Sequence, residues 1–175
     1  IDAQYIRVLV PPGSVSRAFD AFASRGFIGI NVTIPHKFEA LESVDFVDDL
    51  ARRLGAVNTV AMREDGLHGF NTDGPGFLRS VREAFGADAR DLRVLILGAG
   101  GGAGRAVAVQ CAIAGCPRVG LVNRTGEKAA ALASELSATE PAAGVSAVPW
   151  EEAALRAVMP EVDLIVNGTS LGMKP

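Results

Sequence analysis

Two side chains that can move a proton close short polar motifs in the first half of the chain. Lys37 ends the run Asn-Val-Thr-Ile-Pro-His-Lys that begins at Asn31, and Asp73 ends Asn-Thr-Asp, which begins at Asn71. A lysine ammonium can donate a proton to an oxygen that gains negative charge, as a ketone oxygen does when a hydride adds to its carbon. A dinucleotide-binding pattern follows Asp73. This order predicts a hydride-transfer enzyme in which Lys37 and Asp73 handle the proton transfer that accompanies the hydride.

Each member of this pair also has an ordinary interpretation. Lys37 could be an exposed lysine after a strand, and Asp73 could be the N-cap of a helix. We favour the catalytic interpretation because the cofactor pattern follows and Asn58 lies between the two residues. The neighbouring His36 is expected to point away from Lys37, since side chains alternate along an extended backbone.

A glycine-rich turn follows the apolar run from Val94 to Leu97 directly and opens an alanine-rich helix. The turn consists of Gly98, Ala99, Gly100, Gly101, Gly102, Ala103 and Gly104. Its members Gly98, Gly100 and Ala103 fit the pattern G-x-G-x-x-[G/A]. Between a strand and a helix, this pattern provides a tight turn, an unshielded backbone and helix N–H groups for a pyrophosphate. The alternative is a turn whose glycines only permit close packing, and a P-loop is excluded because Gly-Lys-Ser/Thr is absent from the turn.

The end of the next predicted strand indicates which dinucleotide binds. NAD sites usually place a carboxylate there for the ribose hydroxyls, whereas this chain has Asn123, Arg124 and Thr125. A guanidinium can pair with a phosphate through two parallel hydrogen bonds. The pattern therefore predicts NADP, with Arg124 at the 2′-phosphate and Lys128 adding positive charge. A solvated surface arginine is the alternative.

Composition limits the classes of partner. The 175 residues are 49% hydrophobic and 21% charged, with a formal net charge of −3, which gives no basic field for nucleic acid and no polybasic segment for a membrane. We expect a cytoplasmic protein with a small-molecule substrate, present as a monomer or a homodimer. The two cysteines and two histidines are not at zinc-ligand spacings, so no metal is predicted. The cysteines, on different faces of a helix, are expected to pack reduced in the core.

Alternating strand and helix patterns predict an α/β fold of two domains. We place the boundary at the polar connection after Gly86. Residues 1–86 then form a substrate-binding and catalytic α/β domain, and residues 87–175 form a Rossmann-type, doubly wound dinucleotide-binding domain. Because the chain starts inside a predicted strand and stops just after another, both domains are expected to be truncated. The predicted strands are 5–10, 27–33, 56–62, 67–70, 94–97, 119–122, 145–148 and 162–166, and the predicted helices start near 15, 44, 75, 105, 127 and 151.

Six motifs occur in the same order as in one known family, and together they span Asn31 to Met173. They are Asn-Val-Thr-Ile-Pro-His-Lys from 31, Gly-Ala-Val-Asn-Thr from 55, Asn-Thr-Asp-Gly from 71, Gly-Ala-Gly-Gly from 98, Asn-Arg-Thr from 123, and Asn-Gly-Thr-Ser-Leu-Gly-Met from 167. This set resembles the shikimate dehydrogenase family. The resemblance implies NADP-dependent reduction of 3-dehydroshikimate to shikimate, in the shikimate pathway of aromatic amino acid biosynthesis.

The resemblance also assigns roles to individual residues. It implies that Lys37 and Asp73 are the catalytic pair, that Thr33, Asn58 and Asp73 bind the ring hydroxyls, and that the segment from Thr169 to Met173 lies near the nicotinamide. Two departures stand out. The glycine-rich turn is one residue longer than usual, which leaves open which N–H groups meet the pyrophosphate, and the family's Ser-x-Ser motif and late glutamine have no counterpart. A quinate or dual-specificity dehydrogenase and a non-catalytic NADP-sensing module remain as alternatives.

Overall fold

The chain divides into two compact units between Asn71 and Thr72. A computed structural model describes residues 2–172, and each unit has its own four-stranded sheet. The helix Asp73–Phe85 belongs by compactness to the second unit, whereas the sequence pattern places the functional boundary near Gly86. That functional boundary stays a prediction.

The first unit is a mixed α/β structure. Its elements are α1 (Val15–Ala23), β1 (Gly29–Asn31), α2 (Lys37–Glu42), β2 (Phe46–Val47), α3 (Asp49–Leu54), β3 (Thr59–Arg63) and β4 (Gly66–Phe70). The sheet order is β1-β3-β4-β2. Strands β3 and β4 form an antiparallel hairpin, β1 adds antiparallel to β3, and β2 adds parallel to β4. The helices pack against Val60 of this sheet and against Val57 in the segment before β3.

Helix α3 is shorter than the sequence predicts, because a capping residue lies inside the predicted helix. The Asp48 carboxylate accepts the Ala51 N–H at 2.7 Å, which fixes the helix start at Asp49. The two residues before the cap, Phe46 and Val47, pair with β4 instead. The helix ends at Gly55, which has the left-handed backbone (φ 67°) that glycine adopts without strain.

The strand predicted over residues 5–10 is wrong. Residues 2–10 form neither helix nor strand, and Tyr5 and Leu9 are 83% and 94% exposed. Alternation of apolar residues makes a segment suitable for one face of a sheet, but a strand also needs a partner for its backbone hydrogen bonds. Among the described residues, no strand supplies that partner.

The second unit is a parallel sheet with crossover helices, as predicted. Its elements are α4 (Asp73–Phe85), β5 (Arg93–Leu97), α5 (Gly102–Ile113), β6 (Arg118–Val122), α6 (Gly126–Thr139), β7 (Val145–Ala147), α7 (Glu152–Val158) and β8 (Leu164–Asn167), with short 3₁₀ turns at Ala89–Asp91 and Met159–Glu161. All strand pairs are parallel, and the order β7-β6-β5-β8 reverses direction between β5 and β8. Ligands of open α/β sheets bind at such a reversal, beyond the carboxyl ends of the strands.

The two cysteines are free and buried, but they do not lie on different faces of one helix. Helix α5 ends at Ile113, and the chain turns back through Gly115 so that the Cys116 N–H donates to the Cys111 carbonyl at 3.0 Å. The Cys116 thiol donates to the Ala89 carbonyl at 2.9 Å, and interaction with this neighbouring thiol, together with burial, raises the pKa of Cys111. No helix within residues 2–172 is long and apolar enough to cross a bilayer.

Candidate active site

The loop that carries Lys37 is fixed at both ends to the segment before β3. The Val32 N–H donates to the Asn58 carbonyl at 2.7 Å, and the Val57 N–H donates to the Lys37 carbonyl at 3.0 Å. Lys37 is the first residue of α2 and is half-buried. These bonds hold the backbone from Thr33 to Lys37 against the Asn58 segment, so the first unit brings three of the predicted site residues into one loop cluster.

The Asn58 side chain is held by a series of polar neighbours. Asn58 is only 8% exposed, and its Oδ1 accepts the Thr59 hydroxyl at 2.9 Å. The Asn31 amide donates to the Thr59 oxygen at 3.4 Å, and the Tyr5 hydroxyl donates to Asn31 Oδ1 at 3.2 Å. Sequence reasoning did not find this series, because its bonds join residues up to 28 positions apart and leave no local pattern.

The backbone just before Lys37 is not extended, which corrects the expected orientation of His36. His36 is the N-cap of α2 with helical angles (φ −89°, ψ −6°), and the peptide bond between Ile34 and Pro35 is cis. The premise that an extended chain turns His36 away from Lys37 is therefore wrong. Its Nδ1 is buried without a hydrogen-bond partner among the described residues.

The first turn of α2 also caps α1. The Glu39 carboxylate accepts the Val15 N–H at 2.8 Å and the Gly13 N–H at 3.0 Å, while the N-cap residue Ser14 makes no side-chain capping bond. The Val15 N–H, the largest influence, holds the pKa of Glu39 below its ordinary value. The helix that begins with Lys37 is thereby connected to the start of α1.

Asp73 is the first residue of α4. Thr72, and not Asp73, occupies the N-cap position, and its side chain makes no capping bond. The chain enters the helix from Asn71, which is buried and donates through Nδ2 to the Ala56 carbonyl at 2.8 Å. Asp73 is therefore not the N-cap of α4, and that ordinary interpretation is wrong.

The first four N–H groups of the glycine-rich turn donate to acceptors among the described residues, and the next three do not. Those of Gly98 and Ala99 donate to the Val122 carbonyl at 2.8 and 3.1 Å, that of Gly100 to Asn123 Oδ1 at 3.2 Å, and that of Gly101 to the Gly98 carbonyl at 3.0 Å. Helix α5 begins at Gly102 without a side-chain cap. The first-turn N–H groups of Gly102, Ala103 and Gly104 have no acceptor within the helix, and they carry its partial positive charge.

Close packing in this turn falls on Gly104 and not on Ala103. A Cβ on Gly104 would lie 2.2 Å from the Gly98 carbonyl oxygen, whereas Gly102 has nothing within 4 Å of such an atom. Ala103 is exposed. In dinucleotide-binding turns the third glycine permits close contact between helix and strand, so fitting Ala103 to that position is wrong, and the extra residue moves the position to Gly104.

The segment after β6 supports the turn and presents two cations. Asn123 accepts from Gly100 and donates through Nδ2 to the Thr125 carbonyl at 3.0 Å. Arg124 is exposed and forms no ion pair with any described residue. Lys128 is exposed, and its Cβ lies 2.9 Å from where a Cβ on Gly100 would be. A group bound at the turn would therefore meet positive charge on this side.

The end of β8 lies beside the same turn. Leu97 of β5 pairs with Asn167 of β8, and a Cβ on Gly98 would lie 2.7 Å from the Thr169 methyl carbon. Asn167 Oδ1 accepts both the Thr169 N–H at 3.0 Å and its hydroxyl at 2.6 Å. Thr169 thus stands at the strand-order reversal, and Met173 lies outside the described residues.

A parallel sheet with an uncapped glycine-rich helix start at its strand-order reversal defines a dinucleotide-binding unit of the dehydrogenase type. Residues 1–60 match the family described as "Shikimate dehydrogenase substrate binding domain", and residues 79–172 match "Shikimate / quinate 5-dehydrogenase". The chain therefore belongs to the shikimate/quinate dehydrogenase family.

Individual relatives agree with this membership. The chain is 46% identical to the shikimate dehydrogenase (NADP(+)) of Moorella thermoacetica over 98% of its own length and 57% of that protein's. Two solved structures are similar. One is a Thermus thermophilus shikimate 5-dehydrogenase in complex with NADP(H) and shikimate (TM-score 0.77, 40% identity, 93% of this chain and 56% of that one). The other is a 5-ketofructose reductase from Gluconobacter (TM-score 0.84, 35% identity, 98% and 60%). The chain thus spans less than two thirds of these relatives' length.

Proposed function

We propose that the protein catalyses the NADP-dependent interconversion of 3-dehydroshikimate and shikimate, the reaction of aromatic amino acid biosynthesis. The observation that carries the proposal is the Lys37 loop, which two backbone hydrogen bonds hold against the buried Asn58 in a chain of this family. The name of the Moorella relative, and the NADP(H) and shikimate in the Thermus complex, supply the substrate and cofactor.

The turn at the start of α5 fits a dinucleotide. Three N–H groups, at Gly102, Ala103 and Gly104, point from a helix start that bears partial positive charge, and Gly102 leaves the approach open. Arg124 and Lys128 would meet the ribose 2′-phosphate of NADP, with Gly98 to Gly101 and Asn123 to Thr125 shaping the site. When bound, the nicotinamide supplies or accepts the hydride.

Lys37 would hold the proton that moves with the hydride. In the reduction direction its ammonium donates to the ketone oxygen, and Asp73 is proposed to orient that ammonium. Proton transfer by a positioned side chain contributes roughly 10²–10⁴ in rate, equivalent to about 3–5 kcal/mol of barrier. In the oxidation direction the neutral amine accepts the alcohol proton.

Substrate recognition would come from polar groups around this loop. Thr33, Asn58 and Asp73 are proposed to bind the ring hydroxyls, and the segment from Thr169 to Met173 to lie near the nicotinamide. In functional terms this divides the chain into a substrate domain, residues 1–86, and a cofactor domain, residues 87–175. A cytoplasmic monomer or homodimer completes the proposal, and the free buried cysteines agree with a reducing compartment.

The test is turnover measured side by side with shikimate and quinate, each with NADP and with NAD. The proposal expects the highest kcat/KM with shikimate and NADP. A preference for quinate would assign the protein to the other activity in the family's description. NADP binding without turnover of either polyol would favour the sensing module and contradict an enzyme.

A further inference from the structure

Gln110 is a polar residue in the buried, otherwise apolar stretch of α5. It is 8% exposed, and its neighbours on the helix, Val109 and Cys111, are buried too. Its Oε1 has no hydrogen-bond partner among the described residues. Because an unpaired buried acceptor destabilises a protein, such a group calls for an explanation.

The Gln110 side chain lies across the first turn of α4. A Cβ on Gly74 would be 2.6 Å from Gln110 Oε1, 3.1 Å from its Cβ and 3.2 Å from its Cδ. Gly74 is itself buried and directly follows Asp73. Only a residue without a side chain lets the two helices approach this closely, so the amide group of Gln110 stands beside the backbone that carries Asp73.

The start of α4 is suited to receive an amide oxygen. The 13-residue helix begins with N–H groups that lack intrahelical acceptors, and the Thr72 side chain does not cap them. The negative end of the Gln110 amide dipole is attracted to the positive end of the helix dipole. The oxygen thus complements the helix start electrostatically, although no hydrogen bond forms.

The same helix carries Gln110 and the candidate pyrophosphate site. Gln110 lies eight positions after Gly102 in α5, or about 12 Å along a rigid helix. The helix α5 therefore provides the dinucleotide N–H groups at its start and, near its C-terminal end, contacts the first turn of α4 that begins with Asp73. This arrangement fixes the first turn of α4 relative to the cofactor turn within a single unit.

We propose that Gln110 is a positioning residue: its amide holds the first turn of α4, and with it Asp73, at a fixed distance from the cofactor turn. The proposal rests on the function proposed above, because it takes Asp73 as part of the reaction. Gln110 touches no reacting atom in this account. It acts through the backbone of Gly74.

The test replaces the amide while keeping the side-chain length, with Gln110→Met in the intact protein. We expect kcat to fall by about tenfold or more, since a displacement near 1 Å can cost about 10²-fold, with the KM for NADP unchanged. Thermal stability should change little, because removal of an unpaired buried oxygen offsets the loss of its attraction to the helix start. Val109→Ala is the matched control on the same helix, and it should lower stability without lowering the kcat of the folded enzyme.

A second readout does not depend on turnover. Hydrogen exchange of the Gly76 amide, which donates to the Thr72 carbonyl at 3.0 Å at the start of α4, should accelerate in Gln110→Met and not in Val109→Ala. Unchanged exchange, or a wild-type kcat in Gln110→Met, would overturn the positioning role. Absence of turnover in the wild-type protein would instead refute the proposed function, and exchange alone would then decide whether Gln110 holds the helix start. If the methionine variant does not fold, Gln110→Leu takes its place with the same expectations.

Discussion

Replacing Gly104 by alanine should both strain the second unit and weaken dinucleotide binding. The new Cβ would lie 2.2 Å from the Gly98 carbonyl oxygen and 2.9 Å from the Ala99 Cα, where ordinary contact begins at 3.4 Å. These are backbone atoms, so no rotamer change relieves the clash, and helix and turn must separate by about 1.2 Å. Overpacking of this kind costs about 1–3 kcal/mol, of which the better helix propensity of alanine offsets up to about 1 kcal/mol.

The control for this substitution is Gly76→Ala. Gly76 lies in helix α4, is exposed and has nothing within 4 Å of an added Cβ, so its alanine variant should be more stable by about 0.5–1 kcal/mol. Urea unfolding and NADP titration of the wild type, Gly104→Ala and Gly76→Ala measure the stability and the cofactor affinity of each. We expect Gly104→Ala to unfold at lower urea concentration and to bind NADP more weakly. Wild-type stability and affinity in Gly104→Ala would refute the packing role given to this glycine.

Two further variants test the charges. Arg124→Gln should weaken NADP binding by about 10- to 150-fold, the equivalent of about 1.5–3 kcal/mol for a charge-assisted hydrogen bond, and change NAD binding little; equal loss for both cofactors, measured by titration, would contradict the 2′-phosphate assignment. Glu39→Gln should destabilise the protein above pH 4.5, because the folded pKa of Glu39 lies below that ordinary value and its stabilisation is lost only as pH falls through the folded pKa. Urea midpoints of the two proteins should therefore converge in acid, and a gap that stays constant with pH would count against the capping role.

The second unit was predictable because its signals are local. The apolar run Val94 to Leu97, the glycines after it and the apolar periodicity of α5 lie next to one another in sequence, and each requires the same β-turn-helix geometry. The resemblance of the motifs then indicated the family, which the matched segments confirmed.

Features that depend on distant residues could not be predicted. The segment from Tyr5 to Val10 has the alternation of a strand but no pairing partner among the described residues. Phe46 pairs with His68 in the sheet, although the sequence pattern around Phe46 favoured a helix. The register of the glycine turn depends on packing between Gly104 and Gly98, where a Cβ on Gly104 would lie 2.2 Å from the Gly98 carbonyl oxygen. Gln110 could have been noticed as the one amide in an apolar helix, but its role required the contact with Gly74.

The most direct test of proton transfer by Lys37 is the steady-state kinetics of Lys37→Ala and Lys37→Arg with shikimate and NADP. Both variants should lose about 10²–10⁴ in kcat with modest changes in KM, because alanine has no proton to exchange and the arginine guanidinium keeps its charge but does not release its proton. A near-wild-type kcat in Lys37→Ala would contradict the account. Activity restored by arginine would show that the site needs only a positive charge and would equally contradict proton transfer by Lys37.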